Sequence, residues 1–290
     1  MEMPGPRFAD LLDGPARLPE TPITRRAMDL AASIQQVTEE IVLKTARHLR
    51  RLSGESRLVL AGGVALNCVA NGKLAAAGIF DGIWIQPAAG DAGGALGAAL
   101  LAHHMAFEAP RRRAPGAGDA QRGSYLGPRY SSEEILAFLD RKGYPYRRMP
   151  ERAERLALVA EQLAAVKIVG WLSGRMEFGP RALGARSILG DPRNPRTQAT
   201  MNLKIKFRES FRPFAPAVLR ERCAEYFDLD GDSPYMLMVA PVNDMRRLPM
   251  DTEAFEAGDD DMMAVINQSR SDVPAVTHVD YSARVQTVDN

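Results

Sequence analysis

The chain has 290 residues, 46% of them hydrophobic and 25% charged, with a formal net charge of +1 at pH 7. That length and balance suit about two domains with their own cores and exclude wholesale disorder. The near-neutral charge argues against a general nucleic-acid or membrane-surface binder.

Thr21-Pro22 offers a helix cap and a first-turn proline, and Leu30, Ile34, Val37 and Ile41 recur at helical spacing, predicting a long helix to about Arg51. Residues 57–61 read as a short apolar strand running into Gly62-Gly63, with a helix over 65–77 closed by Gly78. Residues 83–87 read as a second strand, followed by Gly90-Asp91-Ala92-Gly93-Gly94 and a small-residue helix through about Met105. Strands alternating with helices imply an α/β layered domain. Residues 108–123, rich in Pro, Gly, Arg and Ala, read as a linker. Ser131 to Glu134 then form a capping-box pattern for a helix that stops at Gly143. An amphipathic helix carrying Leu156, Val159 and Leu163, a strand over 166–172, a helix over 197–206 and a strand over 235–240 follow. The last residues, from Arg284, alternate like a strand. Cys68 and Cys223 lack metal-type spacing and are expected as reduced thiols. No apolar run approaches the ~18 residues of a membrane span, and no secretory signal is visible, so a cytoplasmic location is expected.

The densest chemistry lies in Gly174 to Arg193, with four arginines and four glycines around little apolar bulk. A core segment cannot look like this, because each buried guanidinium needs a matched anion. Glycines admit close backbone approach, and arginines grip phosphate or carboxylate oxygens as planar forks. Residues 175–222 hold eleven Lys/Arg against four Asp/Glu, including the run Lys204-Ile205-Lys206-Phe207-Arg208. The segment reads as a site for a phosphorylated small molecule, against the alternative of a solvated basic loop.

The combination of Gly62 to Cys68, Gly90 to Gly93, Gly174 to Asp191 and Lys206 to Pro216 resembles the O-carbamoyltransferases of the nodulation and antibiotic-tailoring type, the NodU, CmcH and TobZ class. The resemblance implies an α/β fold. The second half of an ASKHA or Kae1-like domain would occupy residues 1–107, and a YrdC-like domain with a twisted sheet residues 124–290. It also implies an ATP-dependent enzyme. One module would make carbamoyl-adenylate from carbamoyl phosphate and ATP, and the other would transfer the carbamoyl group to a hydroxyl of a small-molecule or glycan acceptor. Carbamate is a poor electrophile, and attaching AMP supplies a good leaving group. A divalent metal such as iron is expected in the transfer module, and Asp91 matches the family's carboxylate ligand. The metal-binding histidines and a downstream Ser-x-Asn element are not found, so the chain is expected to be a fragment, inactive and poorly soluble alone.

Within that resemblance Arg175, Arg181, Arg186 and Ser187 are expected to bind carbamoyl phosphate and ATP. Lys206 and Arg208 would do so with an electrostatic role in catalysis, since alternate residues of an extended segment share one face. Gly62, Gly63 and Asn67 are expected at the adenylate, against a plain β-to-α turn. Asp91 has helix capping as its alternative. His103-His104 point about 100° apart on a helix and read as surface residues. Phe211 and Phe214 read as core, and Asp259-Asp260-Asp261 as a solvated acidic loop. Two rival functions are related threonylcarbamoyl chemistry on tRNA and a non-catalytic nucleotide- or RNA-binding module.

Overall fold

Capping chemistry sets several helix ends. The computed structural model describes residues 5–18, 21–111, 120–251 and 262–289. A short helix α1 (Pro6–Leu11) precedes the long α2 (Arg25–Ser53). The cap of α2 is Thr24, whose side chain accepts from the Ala27 N–H, and left-handed Gly54 closes it. Thr21, the expected cap, lies a turn too early. The stripe that marked this helix in the sequence is uncovered here, with Ile34, Val37 and Ile41 exposed by 63%, 50% and 59%.

Strand β1 (Arg57–Leu60), helix α3 (Cys68–Ala76), strand β2 (Gly82–Ile85) and helix α4 (Asp91–Leu101) follow in the expected order. The two strands pair in parallel, Leu58 opposite Ile83. Buried Ala46, Leu74 and Phe80 fix α2 and α3 against this pair. In the second half, α5 (Ser132–Lys142) carries the complete capping box. Ser131 Oγ accepts from Glu134 N, and Glu134 Oε2 accepts from Ser131 N. Helix α6 (Arg152–Ala164) leads into β3 (Val169–Leu172), which pairs antiparallel with β4 (Arg186–Leu189). Helix α7 (Arg196–Met201) continues as a π turn, and β5 (Ala217–Leu219), β6 (Val239–Pro241), α8 (Met263–Ile266), β7 (Ser282–Arg284) and β8 (Gln286–Val288) complete the chain.

The fold is mixed α/β. Among the described residues the strands form four two-stranded ladders, where a twisted sheet was expected for the second half. The strand expected over 235–240 reduces to β6, because Met236 takes a left-handed φ of 57° that interrupts extended backbone. The stretch 235–237 instead turns inward. Tyr235, Met236 and Leu237 join Ala65, Ile85, Ala89 and Leu183 in one buried cluster. That core draws residues from both sides of the expected linker, whose residues 112–119 lie outside the described residues, as do Asp259 to Asp261.

Asn71, buried in α3, donates to the carbonyls of Ala65 and Leu237 at 2.8 and 2.9 Å and ties the two halves together. Next to it, a Cβ on Gly72 would sit 2.6 Å from the Val239 carbonyl oxygen, so only glycine allows α3 and β6 to approach this closely. No described helix is long and apolar enough to cross a membrane.

Candidate functional site

A cleft of about 540 Å³ opens where the turn after β2 faces the arginine-rich segment. Ala88, Gly90, Asp91 and Ala92 line one wall, and Met176 to Pro180 with Arg186 line the other. Gly179 makes this approach possible. Its φ is 123°, and an added Cβ would lie 3.2 Å from that of Ala88.

Glu177 holds the segment in shape. Its carboxylate is buried, and Oε1 accepts from the Leu183 and Ala185 N–H groups at 2.6 and 2.8 Å. Arg186 Nε stands 3.7 Å from Oε2. The rest of the Arg186 guanidinium donates to the carbonyls of Glu177 and Gly179, so this arginine frames the cleft wall while serving the loop's own backbone. Arg175 is exposed and donates to the Gly127 carbonyl at 2.9 Å. Ser187 Oγ accepts from the Gly184 N–H at 3.0 Å, which leaves its O–H to donate. Arg193 is bound to Asp191 through its side chain, holding that carboxyl below its ordinary range. Arg181 differs from these. One Nη reaches the Leu66 carbonyl at 3.2 Å, while its Nε is buried with no hydrogen-bond partner.

Lys206 and Arg208 do not lie on one extended strand. Asn202–Lys206 is a π turn, and Phe207 follows with φ of 47° before Arg208. The helical period of residues 196–201 carries through the lysines and overrides the alternation read from their spacing. Lys206 is exposed and has no ion pair among the described residues. Arg208 is half-buried, donates from Nε to Asn202 Oδ1 at 2.6 Å, and lies 5.0 Å over the Phe214 ring. Phe214 is therefore a platform for a cation as well as a packing residue. Burial and the neighbouring Arg212 charge lower the Arg208 pKa.

Gly62 has φ of 96° and donates to the Ala89 carbonyl at 2.8 Å, with open space above it and Gly63. Asn67 caps α3 by accepting from Ala70 N, and its amide pairs with that of Gln35. Asp91 caps nothing. Gly90 is the N-cap of α4, and Asp91 is the first helical residue, exposed at the cleft. His103 and His104 stack edge to face at 4.9 Å, and His104 Nδ1 meets the Ala109 carbonyl.

The family models for the carbamoyltransferase N-terminus and C-terminus match residues 2–100 and 160–290. The chain belongs to the carbamoyltransferase family. An uncharacterized protein of Synechocystis is 53% identical over 99% of this carbamoyltransferase chain and 46% of its own length. Nodulation protein NolO of Bradyrhizobium diazoefficiens is 40% identical over 92% of the chain and 44% of its own length. Nodulation protein U of the same organism is 35% identical over 91% and 40%. The chain thus spans about half the length of the curated relatives it matches.

Three residues of this carbamoyltransferase chain escaped the sequence reading of its site. Glu177 passed as one acid in a basic segment, although a lone carboxylate there is what its backbone N–H groups need. Fully buried Asn202 donates to the carbonyls of Ser210 and Arg212 and accepts from Arg208, so it shapes the loop around that cation. Arg284 was read only as part of a terminal strand. The signal was its period: Ala283 and Val285 are buried core, so Arg284 shares the opposite face with Gln286, which donates to the Leu183 carbonyl. For the expected divalent metal, the described residues offer no group of three or more His, Cys, Asp or Glu side chains. Asp91 alone does not make a metal site, and its remaining ligands would have to come from elsewhere.

Proposed function

We propose that this chain is the part of an ATP-dependent O-carbamoyltransferase that activates carbamoyl phosphate and presents the product for transfer. Carbamoyl phosphate and water give carbamate and phosphate. Carbamate oxygen then attacks the α-phosphorus of ATP, releasing pyrophosphate and leaving carbamoyl-adenylate. An acceptor hydroxyl on a small molecule or glycan displaces AMP and takes the carbamoyl group. The observation that carries this reading is the meeting of the Gly90-Asp91-Ala92 turn with Met176 to Pro180 in one cleft, from the two separately matched parts of the family.

The chain's own residues have distinct tasks in this scheme. Exposed Lys206, and Arg208 held by Asn202 and Phe214, neutralise phosphoryl charge as it shifts to the leaving group. Arg175, Arg181 and the Ser187 hydroxyl contribute donors from the arginine segment. Arg186 keeps the wall against which the substrate lies. Gly62, Gly63 and the Asn67 turn offer backbone to the adenylate. We assign the first part to a Kae1-like arrangement and the second to a YrdC-like one.

Carbamoyl phosphate-dependent exchange of pyrophosphate into ATP tests the proposal in the intact protein that carries this sequence. The expected result is exchange that requires both substrates. A protein that binds ATP but shows no such exchange is a binding module, and the proposal is then wrong.

A further inference from the structure

Residues 202–212 carry four cations, Lys204, Lys206, Arg208 and Arg212, and one acid, Glu209. None of the four cations makes an ion pair among the described residues, although Glu209 is their neighbour in the chain. Its carboxylate is taken instead by Arg17, 192 residues away, whose Nη2 donates to Oε1. Both side chains are mostly out of solvent, exposed by 25% and 18%, so the pair is screened less than one on the open surface. Arg17 is also held in place before it meets the acid. Its Nη1 donates to the Thr21 and Leu18 carbonyls at 2.6 and 3.2 Å. The segment behind it is anchored where the carbonyl of buried Ile23 accepts from Met262 N at 2.7 Å.

The loop has other supports for its shape. Asn202 donates to the carbonyls of Ser210 and Arg212 at 2.9 and 2.7 Å, and Gln198 to that of Phe211 at 2.7 Å. Arg208 is steadied separately by Asn202 Oδ1 and the Phe214 ring. What Arg17 changes is therefore charge more than backbone. Glu209 lies three residues from both Lys206 and Arg212, and a carboxylate released there is attracted to either. Once paired with them, it cancels positive charge that an incoming anion would otherwise meet.

We propose that Arg17 is a positioning residue for the basic loop, holding the Glu209 carboxylate away so that Lys206 and its neighbours keep their charge for an anionic substrate. This rests on reading Lys206 and Arg208 as anion ligands, but not on the identity of the reaction. Arg17 belongs to the part matched by the N-terminal family model and Glu209 to the part matched by the C-terminal one. The first part thus tunes the electrostatics of the second without touching the substrate.

The test uses the intact protein and no turnover. ATP and carbamoyl phosphate are added separately, and binding is measured by calorimetry in the parent, Arg17→Gln, Glu209→Gln and the double variant. Arg17→Gln should weaken binding of at least one probe by about tenfold, the effect of one cation being neutralised. Glu209→Gln should bind as tightly as the parent or more so, because no carboxylate remains to be released. The double variant should return to within about twofold of the parent, a coupling that a plain clamp between two segments does not produce. Arg17→Lys keeps a charge for Glu209 and should retain most of the affinity, which also serves if Arg17→Gln fails to fold. Parent-like binding in Arg17→Gln, a double variant as weak as Arg17→Gln, a Glu209→Gln variant weakened as much as Arg17→Gln, or a parent that binds neither probe would overturn the proposal. Absence of carbamoyl-dependent pyrophosphate exchange, with these binding differences intact, would remove the proposed reaction and leave the role of Arg17 standing.

Discussion

The arginine-rich segment and strand β7 each bury a guanidinium, and they do so in opposite ways. Arg186 donates to the Glu177 and Gly179 carbonyls and faces the Glu177 carboxylate, so its charge is spent inside the loop. Arg284 is half-buried, and burial first and then the charges of Arg181 and Arg208 lower its pKa to about 10, while it makes no ion pair among the described residues. The difference teaches how to sort a cluster of arginines that look alike in sequence. Those saturated by backbone and carboxylate build the wall, and those left bare keep a charge that the described residues do not balance.

The comparison breaks first at Glu177. Glu177→Ala removes the acceptor for Leu183 N–H and Ala185 N–H and strands Arg186, so it should cost about 3–5 kcal/mol. Chemical unfolding reads this directly, and a loss under 1 kcal/mol would mean that the wall does not depend on this carboxylate.

On the ligand side, Lys206→Ala or Arg208→Ala should slow carbamoyl-dependent pyrophosphate exchange by roughly tenfold to a hundredfold. Arg208→Ala should cost stability too, because it leaves Asn202 Oδ1 without its donor. Unchanged exchange in both variants would remove this pair from the site.

Between these extremes lies the close approach of the two walls. Gly179→Ala forces a side chain onto a φ of 123° and crowds Ala88, and should cost about 1–3 kcal/mol. The cleft should loosen with it, measured as faster hydrogen exchange at residues 176–180.

A smaller, pH-dependent effect is expected from His278. Burial first, and then the Arg284 charge, lower its pKa below the ordinary 6.5, against an opposing pull from Asp280. The unfolded chain therefore binds the proton more readily. Stability from this group is fully present above pH 6.5 and is lost as pH falls from there through the folded value. His278→Gln should flatten that part of the stability curve, and an unchanged acid slope would count against the depressed pKa.

The least effect on folding should come from Asp91→Asn. Asp91 is exposed and caps nothing, so stability should stay within about 0.5 kcal/mol. A larger loss would restore the capping role, and a loss of carbamoyl delivery at unchanged stability would mark Asp91 as functional.

The sequence by itself determined the local features. The Ser131 capping box, the Gly143 stop, the β1–α3–β2–α4 order and the family motif all rest on contacts within a few residues, where side-chain chemistry and backbone preference act directly. It read the lysine run less well, because period-2 spacing also fits a continuing helix and the turn at Phe207 leaves no mark in composition. What only the tertiary structure decided is which charges meet. Arg181 reaches Leu66 across 115 residues, and Gln286 reaches Leu183 across 103. It also decided that the apolar stripe of α2 stays uncovered in this chain. Such outcomes depend on how separate elements close against one another, and a guanidinium looks the same in sequence whether a carbonyl or nothing waits at its end.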